Sequence, residues 1–299
     1  MSEEEKNYLD PGVLDRVGGL EVVARRIVEG FMSGRHESPY KGSSVEFAEH
    51  REYTPGDDLR RIDWKVFGRS DRFYMKQFEE ETNLKAYVAI DTSASMRYAG
   101  EGRGSKLETS KYAAATLLQL ILQQRDAGAL VAFGNDVRTF IPPGSSAAHH
   151  RNLIETLAGL EATGPSGIGD IFDEIAARLR QRSLVAVFSD LLDDEKTLLR
   201  GLQHMAHRGH DVILFHVLDP DEIQFPFERM TRFEGLEDMA HLTLDPKAVR
   251  EAFLAEMDGF RKRITTACLA TRVDYVLLDT AVPLDRTLGA WLARRAGVR

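Results

Sequence analysis

"LKAYVAIDTSASM", residues 84–96, decides how this chain is read. A run of strand-forming apolar residues ends in Asp91, Ser93 and Ser95, three oxygen-bearing side chains at alternate positions. The run lacks polar/apolar alternation, the pattern of a strand covered by helices on both faces. Comparable runs follow in "GALVAFG", "SLVAVFSD", "DVILFHVLD" and "VDYVLLD". Helical patterns lie among and after them, over residues 106–126, 147–160, 169–182, 194–208, 246–271 and 284–296. This alternation predicts a doubly wound, mainly parallel α/β sheet. The polar-flanked "DVRTFIPPG" reads as an antiparallel edge strand ended by Pro142 and Pro143.

Aspartate ends four of the runs, at Asp91, Asp190, Asp219 and Asp279. Ligands of open α/β sheets bind beyond the carboxyl ends of strands, where the strand order reverses. Right-handed crossovers permit the order 3-2-1-4-5-6, which sets strands 1 and 4 side by side at that point. Asp91 and Asp190 then face one crevice, with Asp219 and Asp279 farther along the edge. A chain leaving its strand at Asp91 directs Ser93 and Ser95 to the same side. Carboxylate and hydroxyl oxygens suit Mg²⁺ or Mn²⁺, which favour octahedral oxygen coordination. Ser166, in "TGPSGIGDIF", is placed to add another oxygen.

Bulk properties narrow the function classes. The 299 residues carry 39 Lys+Arg against 47 Asp+Glu, a net charge of −8 that argues against a general nucleic-acid binder. One cysteine, Cys268, excludes an internal disulfide and suits a reducing compartment. No apolar run approaches the roughly 18 residues of a membrane span. The acidic "MSEEEKNYLD" lacks the regions of a signal peptide. A soluble, cytoplasmic protein is expected.

Before residue 84 the texture changes. Leu14, Val17, Leu20, Ala24, Ile27 and Phe31 recur at helical spacing. Val45, Phe47, Glu49 and Arg51 alternate as in a strand, and Pro55-Gly56 fits a type II turn. Asp57 or Asp58 can cap a short helix carrying Leu59 and Ile62, and "RFYMKQFEEE" reads as a returning strand. Residues 1–82 are therefore expected to form a helical and β arm, docked through Trp64 on a sheet domain of residues 83–299.

Asp91-Thr92-Ser93-Ala94-Ser95 resembles the D-x-S-x-S metal-ion-dependent adhesion site of von Willebrand factor type A domains. The upstream "EFAEHREYTPGDDLRRIDWKVFGRSDRFYMKQFEEE" is similar to the signature of the bacterial domain-of-unknown-function family number 58, and "VDYVLLDTAVPLDRTLGAWLARR" to that family's ending. The resemblance spans roughly residues 40–299 and implies a von Willebrand A-like fold, encoded beside a MoxR-type AAA+ ATPase. It implies metal ligation by Asp91, Ser93, Ser95 and Asp190. Ser166 stands where such domains usually have threonine, in a T-x-x-G pattern ending at Gly169, with Thr163 a less favoured substitute. A coordination position left open for a partner's carboxylate implies regulated protein binding.

Other motifs are weaker. "AIDTSAS" lacks the glycine, second lobe and all-β context of an aspartic protease, and a dehalogenase-like phosphatase would want an aspartate in place of Ser93. "GEGRGSK", residues 100–106, imitates a phosphate loop, but Ser105 interrupts the Gly-Lys pair. It reads as a flexible loop beside the crevice. His204, His207 and His210 fit a solvated helix face better than a zinc site, because Gly209 ends the helix among them. The expected function is a non-enzymatic, Mg²⁺- or Mn²⁺-dependent interaction module. It would serve a MoxR-type ATPase and a client protein, with no catalytic residue and no organic cofactor. The alternative is a metal-dependent hydrolase or phosphatase using the same carboxylates.

Overall fold

The computed structural model describes residues 19–28, 50–52, 74–76, 84–236 and 241–297. One compact unit comprises Met1–Glu37 with Leu84–Arg299, and a second comprises Ser38–Asn83. The helix at 19–28 (α1), which the sequence assigns to the arm, sends Leu20 and Ala24 into the core of the first unit. In the second unit, β1 (His50–Glu52) pairs antiparallel with β2 (Tyr74–Lys76), His50 opposite Lys76. The returning strand expected there is present. The Pro55-Gly56 turn, the short helix and Trp64 lie outside the described residues.

In the first unit the elements are β3 (Lys85–Asp91), α2 (Lys106–Gln123), β4 (Ala127–Phe133), β5 (Val137–Gly144), α3 (Ala147–Gly159) and α4 (Ile168–Arg178). Then come β6 (Leu184–Ser189), α5 (Glu195–His207), β7 (Asp211–Leu218), α6 (Pro220–Gln224), β8 (Thr231–Phe233) and β9 (Leu242–Leu244). The chain closes with α7 (Pro246–Thr271), β10 (Asp274–Asp279) and α8 (Leu284–Gly297). The main sheet runs β10-β7-β6-β3-β4-β5. Counted along its own strands, this is the expected order 3-2-1-4-5-6 of a von Willebrand A-like domain. Every pairing is parallel except that of β5 with β4.

Successive strand residues point to opposite faces, so each strand feeds two cores. On one face Val88, Ile90, Leu130, Phe188 and Phe215 pack with α2, α3, α8 and α1. On the other, Ala89, Val131, Val187 and Leu214 pack with α4, α5 and α7, where Cys268 is buried. Burial of each such large side chain contributes about 1.5–3 kcal/mol. Alternation is absent from the sequence because both faces are apolar.

β5 includes Pro142 and Pro143 and continues to Gly144, so the prolines lie within the strand instead of ending it. Pairing shifts from Leu130↔Ile141 to Gly128↔Gly144, which inserts one extra β5 residue where the proline pair cannot donate. Helix starts follow local chemistry. Ser105 and Glu108 form a capping box on α2, Asp194 caps α5, and Asp219 with Glu222 boxes α6. Gly169 and Gly201 let α4 and α5 touch: a Cβ on Gly201 would stand 2.7 Å from the carbonyl oxygen of Gly169.

Candidate functional site

Parallel pairing brings the ends of β3 and β6 together, with Ile90 opposite Phe188. Asp91 and Asp190 follow from those positions, and both are fully buried. Asp91 Oδ1 accepts from the Ser93 amide at 2.8 Å, and Oδ2 accepts from the Ser189 hydroxyl at 2.6 Å. Ser93 Oγ lies 3.1 Å from Ser95 Oγ, and Ser95 in turn hydrogen-bonds Asp190. Four of the five expected ligands thus converge.

The fifth, Ser166, is half-buried just ahead of α4. Its loop runs against the Asp91 loop, because the Ala94 amide donates to Gly164 O at 2.7 Å and the Thr163 amide to Thr92 O at 2.8 Å. Arg138 fastens the two loops, its guanidinium donating to the Thr92 and Thr163 carbonyls at 2.7 Å each. The Thr163 hydroxyl also accepts from Arg138, at 3.2 Å. A guanidinium on that oxygen disfavours Thr163 as a cation ligand.

Charge dominates this site. Burial, and then the neighbouring Asp190 charge, push the Asp91 carboxyl up to about 7. Burial also opposes ionisation of Asp190, but the Lys106 ammonium outweighs it and holds that carboxyl below its ordinary range. Lys106 Nζ donates to Asp190 Oδ2 and to Glu222 Oε1, each at 2.7 Å, and its side chain is 1% exposed. Burial disfavours the charged lysine, yet its two carboxylate partners raise its pKa overall.

Sequence reasoning missed Lys106, Glu222 and Ser189. The "GEGRGSK" segment is also not a free loop. Asp219, fully buried, accepts from the Gly100 amide and from Arg103, and Tyr98 donates to Asp221 at 2.9 Å. Nor do the three histidines gather. His204 pairs with Asp173 at 2.6 Å, while His210 is buried at the start of β7.

The donor set fits an oxygen-liganded divalent ion. Adjacent oxygens around Mg²⁺, at about 2.1 Å from the metal, stand about 3 Å apart, and the two serine hydroxyls are 3.1 Å apart. A buried carboxyl raised as Asp91 is, beside a second carboxylate, is short of positive charge. Among the described residues no three His, Cys, Asp or Glu side chains converge as a metal site, so an ion here would depend on the hydroxyls.

Ser95, alone of the four converging residues, lines a cleft of about 700 Å³. Its lining includes Ser95, Tyr98, Lys106 and Leu192 together with Leu236, Phe253, Met257 and Phe260. Phe253, Met257 and Phe260 belong to α7, the helix expected over 246–271, and Leu236 to the segment with β8 and β9, which the sequence patterns did not show. Phe225, just after α6, stacks on Phe233 with centroids 5.6 Å apart and leans on Phe253 at 4.6 Å.

The crystal structure of conserved hypothetical protein BatB from Bacteroides thetaiotaomicron is 17% identical, with a TM-score of 0.47, over 72% of this chain and 99% of that one. The SpRpn10 VWA domain is 14% identical, with a TM-score of 0.42, over 69% and 94%. At those scores the strand order itself carries the fold. An uncharacterized protein of Mycobacterium bovis is 29% identical over 222 residues, 73% of this chain and 68% of its own, and uncharacterized proteins of two Mycobacterium tuberculosis strains match equally. The family described as Protein of unknown function DUF58 matches residues 49–263, and the chain belongs to that family.

Proposed function

We propose that this protein is a non-enzymatic, divalent-metal-dependent interaction module of the cytoplasm, which engages a MoxR-type AAA+ ATPase and a client protein. The observation that carries this reading is the convergence of Asp91, Ser93, Ser95 and Asp190, with Ser95 reaching the lining of a cleft. Asp91, Ser93, Ser95 and Asp190, with Ser166 from the adjoining loop, would hold Mg²⁺ or Mn²⁺. The bound ion would supply Lewis acidity for a partner's carboxylate. The chain's own residues do the rest: Ser189 and the Ser93 amide orient Asp91, and Arg138 fixes the loops. Leu192, 47% exposed, and Leu236, 38% exposed, offer apolar contact in the cleft.

A hydrolase on the same carboxylates would need a base free to take a proton. His216 is not free, since its ring nitrogens meet Tyr275 Oη at 2.8 Å and Asp190 O at 3.1 Å. Calorimetry of the full chain against a purified MoxR-type AAA+ ATPase, with Mg²⁺ and then with chelator, tests the proposal. Binding should require the ion and be lost in Asp91→Ala and Asp190→Ala. Equal affinity in both conditions would reject the metal-bridged mechanism.

A further inference from the structure

Lysine is rarely fully buried, and Lys106 is buried in an unusual place. It is the first residue of α2, directly after the Ser105 cap, where the helix dipole disfavours a cation. Two ion pairs hold it there, to Asp190 and to Glu222, at 2.7 Å each. The Tyr98 ring lies 5.9 Å from the ammonium. Lys106 and Glu222 both line the cleft, alongside Ser95 of the ion cluster.

The single ammonium faces two carboxylates, Asp190 and Glu222, at 2.7 Å each, so positive charge here falls short of negative. A divalent ion would draw on Asp190, which Lys106 already holds, and it would meet the ammonium's repulsion at short range. Glu222 gives the ammonium a second acceptor, so leaving Asp190 does not strand a buried charge.

We propose that Lys106 is the resident cation of this site and sets its metal affinity, yielding Asp190 to an incoming divalent ion while keeping Glu222. The proposal rests on the reading above that the site takes such an ion. In the ion's absence Lys106 neutralises Asp190 and keeps the pocket closed to other cations. When the ion enters, Lys106 weakens it, which makes occupancy responsive to anything that adds a ligand, such as a partner's carboxylate.

The test uses the full chain, with Mn²⁺ binding followed by loss of the free-ion paramagnetic resonance signal and thermal stability measured with Mg²⁺ and with chelator. Neutral variants Lys106→Met and Lys106→Gln should bind Mn²⁺ at least tenfold tighter than the parent. They should melt lower in chelator and gain more from Mg²⁺ than the parent gains. Lys106→Arg, which keeps the charge, should stay with the parent. A silent parent beside binding neutral variants would also support the proposal. Unchanged or weaker binding in whichever neutral variant retains its circular dichroism would overturn it, leaving Lys106 as a structural prop for Asp190. If the parent binds and the neutral variants do not differ from it, only the role of Lys106 falls. If no protein in the set binds, the metal reading falls with it.

Discussion

Arg103 meets Asp219 through two parallel hydrogen bonds, Nε to Oδ2 at 3.1 Å and Nη2 to Oδ1 at 2.8 Å. Asp219 also caps α6 and accepts from Thr280 at 2.9 Å, so one buried carboxylate ties the loop after β3 to the ends of β7 and β10. Arg103→Ala should cost about 2 kcal/mol, the usual range for hydrogen bonds to a charged group. Asp219→Ala should cost at least as much, and the double variant clearly less than the sum. Urea titrations of the four proteins measure this. Simple additivity would show that the clamp contributes nothing.

Two glycine-to-alanine changes should act in opposite directions. A Cβ on Gly201 would meet Gly169 O at 2.7 Å and Phe172 Cβ at 2.8 Å, whereas nothing stands within 4 Å of one on Gly159. Gly201→Ala should therefore lose about 2 kcal/mol through overpacking. Gly159→Ala should gain about 0.5–1 kcal/mol from helix propensity. Thermal melts decide, and a stabilised Gly201→Ala would refute the close helix contact.

His210 is 8% exposed, and neither ring nitrogen has a hydrogen-bond partner among the described residues. Burial, then Arg208, lower its pKa below the ordinary value near 6.5. A depressed folded pKa means that the unfolded chain binds the proton more readily. The corresponding stability is fully present above about 6.5 and is lost as pH falls below it. His210→Leu removes both the orphan nitrogens and this titration. It should raise stability by about 1 kcal/mol at pH 8, with a larger gain at pH 5. A gain independent of pH would contradict the lowered pKa.

Leu192 lines the cleft beside the carboxylates and leaves nearly half its surface exposed. Replacing it with glutamate should leave the melting temperature within a degree or two, since surface changes usually stay within about 0.5 kcal/mol. Partner affinity should fall about tenfold or more, as expected for an apolar contact worth at least about 1.4 kcal/mol. Unaltered affinity would move the partner off this cleft.

The frame was legible because its signals are redundant. Apolar runs, aspartate endings and right-handed crossovers each pointed to β3 and β6 as neighbours, and the structure pairs them. Asp91, Ser93, Ser95 and Asp190 were readable because they sit on or next to strand ends, where topology predicts position. Lys106 was not, because a lysine after a glycine-rich loop looks solvated and its acceptors are 84 and 116 residues away. One clue was present: the S-x-x-E box at Ser105 and Glu108 puts Lys106 at the wrong pole of a helix dipole. The segment with β8 and β9 escaped because two three-residue strands show no period, and its Phe233 meets Phe225 and, through Phe225, Phe253 of the expected helix α7 only in three dimensions.

The two prolines of β5 also bear on how the protein behaves when concentrated. Amide groups along a strand point alternately toward its partner and away from it. Pro142 and Pro143 have no amide hydrogen, so two consecutive donors are missing from this edge strand, at the bulge that interrupts its alternation. The extra residue between Ile141 and Gly144 accommodates the loss toward β4. A bulged strand without those donors also interrupts the regular row that another chain's strand would need. This flank of the sheet is thus a poor template for intermolecular β-pairing, and crowded copies are kept from growing into fibres there.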